Sequence, residues 1–170
     1  HKLRYAVSID GAIPMERDMA VIGPMARNPD DLALALDILS DHPLKQADNR
    51  PASEYRVLVL NAHPLAKVAA PIADALDRLA DALHDLGVSV DRKSDLIPDL
   101  EAQQRAYMKM LNITIARGAP QDGSAPTTLV EWFELRDEQA RNARAWNRLF
   151  ASYDAVIAPT LGVTAFAHDP

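Results

Sequence analysis

The chain of 170 residues contains no cysteine, and this absence removes several classes of protein at once. Without a thiol there can be no disulfide, no zinc-thiolate centre and no cysteine nucleophile. Nothing in the composition ties the chain to an oxidising compartment, so a cytoplasmic location is the default expectation.

Long apolar runs and clusters of basic residues are also missing from the sequence. A transmembrane helix needs about 20 consecutive apolar residues, and the chain has no such run. The net charge is -6, and no basic run of the kind that neutralises phosphates occurs. We therefore expect neither a membrane nor nucleic acid among the main partners of this chain.

The few residues that could carry chemistry stand in isolation. The 6 glycines form neither a phosphate-binding loop nor a Gly-x-Ser-x-Gly motif. His63, before Pro64 at the end of a predicted strand, is the histidine best placed for a site, because sites in parallel sheets gather at the carboxyl ends of strands. It has no partner at metal-ligand spacing, so a turn residue is the simpler interpretation. The acidic residues between 91 and 101 lack the pattern of a calcium loop and are interpreted as a solvated surface.

The residues that are present are sufficient for a sizeable core, since 48% of them are apolar. A first helix is predicted after Asn28, which can cap it, with Pro29 at the first helical position and Asp30 and Asp31 in the first turn. The helix continues to Leu39 and is apolar on nearly all sides. Such a helix is expected to be buried.

A strand-helix-strand unit is predicted from residue 55 to residue 91. The apolar and β-branched run 55–60 is typical of a strand covered on both faces. Leucines at spacings of three and four over 72–86 predict an amphipathic helix, and Gly87 suits a left-handed C-cap. The short strand 88–91 should then lie parallel to the first, joined to it by a right-handed crossover.

Two more helices and a third strand complete the pattern. Residues 100–116 predict a helix. Its expected buried residues are Tyr107, Met108, Leu111 and Ile115. Thr128 and Glu131 have the spacing of a capping box and open a long helix. The run 153–160 predicts a third strand, so the fold class is α/β, with a largely parallel or mixed sheet flanked by helices.

Two stretches resemble the amidase signature family. Residues 18–27, Asp-Met-Ala-Val-Ile-Gly-Pro-Met-Ala-Arg, lead into the Asp-Leu-Ala-Leu helix as they do in those enzymes, downstream of the glycine- and serine-rich catalytic stretch. Residues 146–160 are similar to the family's aromatic helix end and its Tyr-Asp-x-hydrophobic-hydrophobic-x-Pro strand. The order of the two stretches and the strand-helix-strand unit between them also match.

The resemblance implies the hydrolysis of carboxamides, without metal or organic cofactor, by a serine that a second serine and a deprotonated lysine activate. The Gly-Gly-Ser-Ser-Gly-Gly-Ser-like stretch that supplies these serines does not occur in this chain. Residues 1–170 are therefore expected to be a single fragment of an amidase signature domain, with no catalytic residue of its own and inactive alone. Within it we expect a loop and a buried helix over 1–40, the strand-helix-strand unit, and helices and a strand over 98–160.

For the substrate pocket, the resemblance implies Gly23, Pro24, Met25 and Arg27. The first two would turn the backbone near the substrate. Arg27 would pair with Asp18 or hold the loop, although a merely structural role for both is the simpler alternative. The expected partners are a small amide substrate and, because three strands leave open sheet edges, a second copy or the missing segments of the parent protein. A non-enzymatic α/β binding module and a subunit resembling the A subunit of an amidotransferase remain the alternatives.

Overall fold

The computed structural model describes residues 23–40, 50–116 and 125–165. The chain divides into two compact units. The first unit comprises His1–Asp48 and Met110–Thr127, and the second comprises Asn49–Lys109 and Thr128–Pro170. In chain order the elements are α1 (Pro29–Leu39), a 3-10 turn (Ala52–Glu54), β1 (Arg56–Val59), α2 (Ala70–Asp85), β2 (Ser89–Asp91), α3 (Leu100–Ala116), α4 (Leu129–Phe150) and β3 (Ala155–Ile157).

The second unit is built around a three-stranded parallel sheet in the order β2-β1-β3. Val57 of β1 lies opposite Val90 of β2 on one side and Ala155 of β3 on the other. The predicted α/β class, the parallel sheet and its flanking helices are confirmed.

Alternate residues of β1 point to opposite faces of the sheet, and both faces are covered. Leu58 is fully buried against Leu149 and Tyr153. On the other face, the cluster contains Val57, Val59, Leu76, Ala80 and Val88. Burial on both sides explains why this strand reads as a continuous apolar run in the sequence.

The helix between the two predicted strands ends as its sequence indicates. Gly87 has φ +90°, a left-handed conformation that glycine adopts without strain. Its N–H donates to the carbonyl of His84 at 2.8 Å, and the N–H of Val88 donates to that of Leu83 at 3.0 Å. These two bonds form a Schellman motif, which turns the chain from α2 into β2.

The capping predictions for α1 and α4 are also confirmed. The side chain of Asn28 accepts a hydrogen bond from the N–H of Asp31 at 2.8 Å. At α4, the hydroxyl of Thr128 accepts from the N–H of Glu131, whose carboxylate accepts from the N–H of Thr128. Each cap satisfies backbone N–H groups that the first helical turn leaves without partners.

The prediction that α1 is buried is wrong. None of its residues is buried, and the side chains of Leu34 and Ile38 are 60% and 70% exposed. The apolar composition of a helix indicates that another surface packs against it, but it does not show whether that surface belongs to the same chain.

The predicted buried face of α3 is wrong as well. Tyr107 and Ile115 are 47% and 72% exposed, whereas Met110, Ile113 and Thr114 are buried. Because apolar residues lie on more than one side of this helix, periodicity alone did not select the face. Burial of the polar threonine is tolerated since its hydroxyl donates to the carbonyl of Met110 at 2.9 Å.

Among the residues described, no helix is long and apolar enough to cross a membrane.

Candidate functional site

The second unit has a cleft of about 540 Å³ at the carboxyl ends of β1 and β3. Its lining comes from the segment after β1, the first turn of α3, the end of α4, and β3 with the segment that follows it. The lining residues are Leu60, Ala62, His63, Leu65, Ala66, Val68, Leu100, Gln103, Gln104, Trp146, Val156, Ala158, Pro159, Thr160, Leu161 and Gly162. A cleft in this position is where open α/β sheets bind their ligands.

The segments after β1 and β3 are held together on one side of the cleft. The N–H of Leu60 donates to the carbonyl of Ile157 at 2.8 Å, and the N–H of Ala69 donates to that of Gly162 at 2.8 Å. A Cβ atom at position 162 would stand only 2.6 Å from the carbonyl oxygen of Lys67. A glycine is therefore required where these two segments meet.

Gln103 and Trp146 form a hydrogen-bonded polar pair in the cleft, whose other polar lining residues are His63, Gln104 and Thr160. The indole N–H of Trp146 donates to Oε1 of Gln103 at 2.7 Å. Both side chains are half-buried, and the indole also stacks on Phe150 with ring centroids 5.9 Å apart. The pair joins α3 to α4 within the second unit.

His63 lies at the end of β1 and lines the same cleft, as its place in the sequence indicated. Its Nδ1 accepts a hydrogen bond from the N–H of Leu65 at 3.1 Å, and its backbone forms a bridge with Ala66. These contacts fit the interpretation as a turn residue. Within the described parts of the chain, no group of three His, Asp or Glu side chains is arranged to hold a metal ion.

Asp154, which precedes β3 in the stretch that resembles the amidase signature family, is bound by two arginines. Oδ2 of Asp154 accepts a hydrogen bond from the backbone N–H of Arg56 at 2.8 Å, and Oδ1 pairs with the guanidinium of Arg50. The Arg50 guanidinium, together with the N–H of Arg56, holds the pKa of the Asp154 carboxyl below its ordinary value. Asp154 therefore fixes β3 beside β1.

The predicted pocket residues lie in the first unit, in the segment that precedes α1. Met25 is 98% exposed, Arg27 is exposed, and a Cβ atom at Gly23 would meet nothing within 4 Å. Asp18, the proposed partner of Arg27, lies outside the described residues. The assignment of Gly23, Pro24, Met25 and Arg27 to a substrate pocket stays a prediction.

The sequence did not indicate Gln103 and Trp146 as a pair. They are 43 positions apart and lie on different helices, so no spacing rule connects them. The one available signal was that a buried indole N–H needs an acceptor, which the sequence does not name.

A solved structure of fatty acid amide hydrolase is similar to this chain. The TM-score is 0.72 over 95% of this chain and 35% of that one, and 17% of the residues are identical. No family model and no curated protein sequence matches the chain. At this identity the likeness establishes the fold, which is similar to the amidase signature fold of that neighbour, and this chain spans about a third of the neighbour's length.

Proposed function

We propose that this chain is part of an enzyme that hydrolyses the C–N bond of carboxamides with a serine nucleophile. The observation that carries the proposal is the fold shared with fatty acid amide hydrolase over 95% of the chain. The sequence supports it independently, because residues 18–37 and 146–160 resemble amidase signature segments in the same order.

In this proposal the chain supplies scaffold and substrate contacts, and the nucleophile and its base come from the remainder of the parent protein. A serine needs a positioned base to attack an amide carbonyl. The serines of this chain have no Gly-Ser-Ser or Ser-Gly-Gly context. The cleft at the ends of β1 and β3 is then the part of the substrate site that this chain contributes.

The remaining segments of the parent protein, or a second copy, are the proposed macromolecular partners. The apolar side chains of the first unit support this proposal, since Met25, Leu34 and Ile38 are 98%, 60% and 70% exposed. Exposed apolar surface is stabilised when another surface covers it.

The test compares the 170-residue chain with the product of the complete open reading frame that encodes it. Ammonia release and hydroxamate formation are measured with a panel of aliphatic and aromatic carboxamides, and a fluorophosphonate probe reports an activated serine. We expect turnover and labelling with the complete product and neither with the chain alone.

Two results would contradict the proposal. Turnover by the chain alone would mean that the catalytic residues lie within it. A complete product that neither turns over any amide nor reacts with the probe would favour the non-enzymatic binding module.

A further inference from the structure

The described side chains that line the cleft at the ends of β1 and β3 include no carboxylate, ammonium or guanidinium group. Most of them are aliphatic. An ion that enters such a cleft loses hydration without gaining a counter-charge, which is unfavourable. The cleft therefore favours a neutral, mostly apolar molecule.

The polarity of Gln103 in the cleft is fixed by its partner. An indole N–H can only donate, so the atom of Gln103 that faces Trp146 must be the carbonyl oxygen, Oε1. The NH2 group then points away from the indole, and it has no hydrogen-bond partner among the described residues. Gln103 thus offers N–H donors to a ligand, while its acceptor is occupied.

A backbone N–H likewise determines which ring nitrogen of His63 accepts a hydrogen bond and which can donate one. Its Nδ1 accepts from the N–H of Leu65 at 3.1 Å, so Nδ1 carries no proton. In the neutral ring the proton is then on Nε2, which is a donor. Both Gln103 and His63 line the cleft, and in both the acceptor atom is already used inside the protein.

We infer that this cleft binds a neutral, mostly apolar molecule through an acceptor oxygen, which receives hydrogen bonds from the Gln103 amide and the His63 Nε2–H. A volume of about 540 Å³ is suitable for a small organic ligand. The ligand class, an apolar carboxamide bound by its carbonyl oxygen, rests on the proposed function. The donor character of Gln103 and His63 does not depend on that proposal.

Three probes share a phenylalkyl chain and differ in the charge of their polar end group: 4-phenylbutanamide is neutral, 4-phenylbutylamine is cationic and 4-phenylbutyrate is anionic. Binding to the 170-residue chain is followed by NMR on the indole N–H resonances, with Trp132→Phe to assign that of Trp146. We expect the amide to shift the Trp146 resonance and to bind about ten-fold more tightly than the cationic amine or the anionic acid.

Gln103→Glu tests the donor directly. The carboxylate keeps an acceptor for the Trp146 indole, but it replaces the NH2 donors with a second acceptor. Affinity for the amide should fall about ten-fold, and affinity for the amine should rise. Gln139→Glu makes the same charge change on α4 outside the cleft lining and should leave both affinities unchanged.

The inference is overturned if the amine or the acid binds as tightly as the amide, if the amide does not bind saturably at millimolar concentrations, or if Gln103→Glu leaves amide affinity unchanged. Failure of the proposed function is a separate result. A complete product that binds the amide with the predicted polarity but never hydrolyses any carboxamide would contradict the proposed function and leave this inference standing.

Discussion

The hydroxyl of Tyr153 donates a hydrogen bond to Oδ2 of Asp91 at 2.9 Å. The same oxygen accepts two N–H groups of the Arg56 guanidinium, at 2.7 and 3.0 Å. That guanidinium lies 4.7 Å from the centre of the Tyr153 ring. Asp91 belongs to β2, Arg56 belongs to β1, and Tyr153 lies two residues before β3. Their contacts therefore connect all three strands of the sheet.

This arrangement predicts how stability changes with pH in the variant Asp91→Asn. The Arg56 guanidinium, together with the Tyr153 hydroxyl, holds the pKa of the Asp91 carboxyl below its ordinary value. The carboxylate therefore stabilises the fold above its unfolded-state pKa of about 3.9, and this contribution is lost as the pH falls through the folded-state pKa. Asp91→Asn should be less stable than the wild type near neutral pH, and the difference should shrink by about pH 3.

Urea denaturation of both proteins at the two pH values measures this difference. Asp95→Asn is the control, because Asp95 is exposed and its side chain makes no hydrogen bond or ion pair with the other described residues. The substitution Asp95→Asn should leave the free energy of unfolding unchanged at both pH values. A loss of stability in Asp91→Asn that is as large in acid as at neutral pH would contradict the carboxylate's role.

Gly87→Ala should destabilise the chain by about 1–2 kcal/mol, because an L-residue at φ +90° is strained. The nearest atom to an added Cβ is the Cβ of Ser53 at 3.7 Å, which is an ordinary contact. The expected loss of stability therefore comes from backbone strain and not from a steric clash. Gly87→Asn should lose less, since asparagine tolerates the left-handed region better. Equal losses for the two variants in thermal or urea unfolding would contradict this explanation.

Gly162→Ala should destabilise the chain and weaken 4-phenylbutanamide binding, because the new Cβ would stand 2.6 Å from the carbonyl oxygen of Lys67. Forced separation of packed segments typically costs about 1–3 kcal/mol. The matched control is Gly23→Ala, whose Cβ would meet nothing within 4 Å and should leave stability unchanged.

Gly23→Ala also tests the predicted pocket residue in the complete product. A fall in amide turnover without loss of stability would support a role for Gly23 beside the substrate, and unchanged turnover would contradict it. If Gly162→Ala is as harmless as Gly23→Ala in unfolding and binding measurements, the backbone at position 162 does not lie as close to Lys67 as it does in the structure.

Leu149→Ala should destabilise the chain by about 2–5 kcal/mol, because this fully buried side chain packs with Leu58 and Tyr153 and its removal leaves a cavity. Leu129→Ala, on the same helix at a position that is 68% exposed, should change stability by less than about 0.5 kcal/mol. Urea denaturation measures both values. Comparable losses would contradict the assignment of Leu149 to the core.

Much of the backbone arrangement of this protein is determined by its sequence. Asn28, the Thr128 capping box and Gly87 mark helix ends through bonds between near neighbours in the chain, so local sequence is sufficient. The parallel pairing of β1 with β2 follows from a helical connection that is too long for a hairpin. Short-range chemistry thus predicted most of the elements and their class.

The tertiary structure decided which faces are covered and which side chains meet. The exposure of α1 and the burial of Met110 rather than Ile115 on α3 depend on what lies against each helix, and periodicity carries no information about that partner. Likewise Gln103 acquires its donor polarity only from Trp146, which is 43 positions away along the chain. A contact between distant residues depends on how the elements pack in space, which no local pattern specifies.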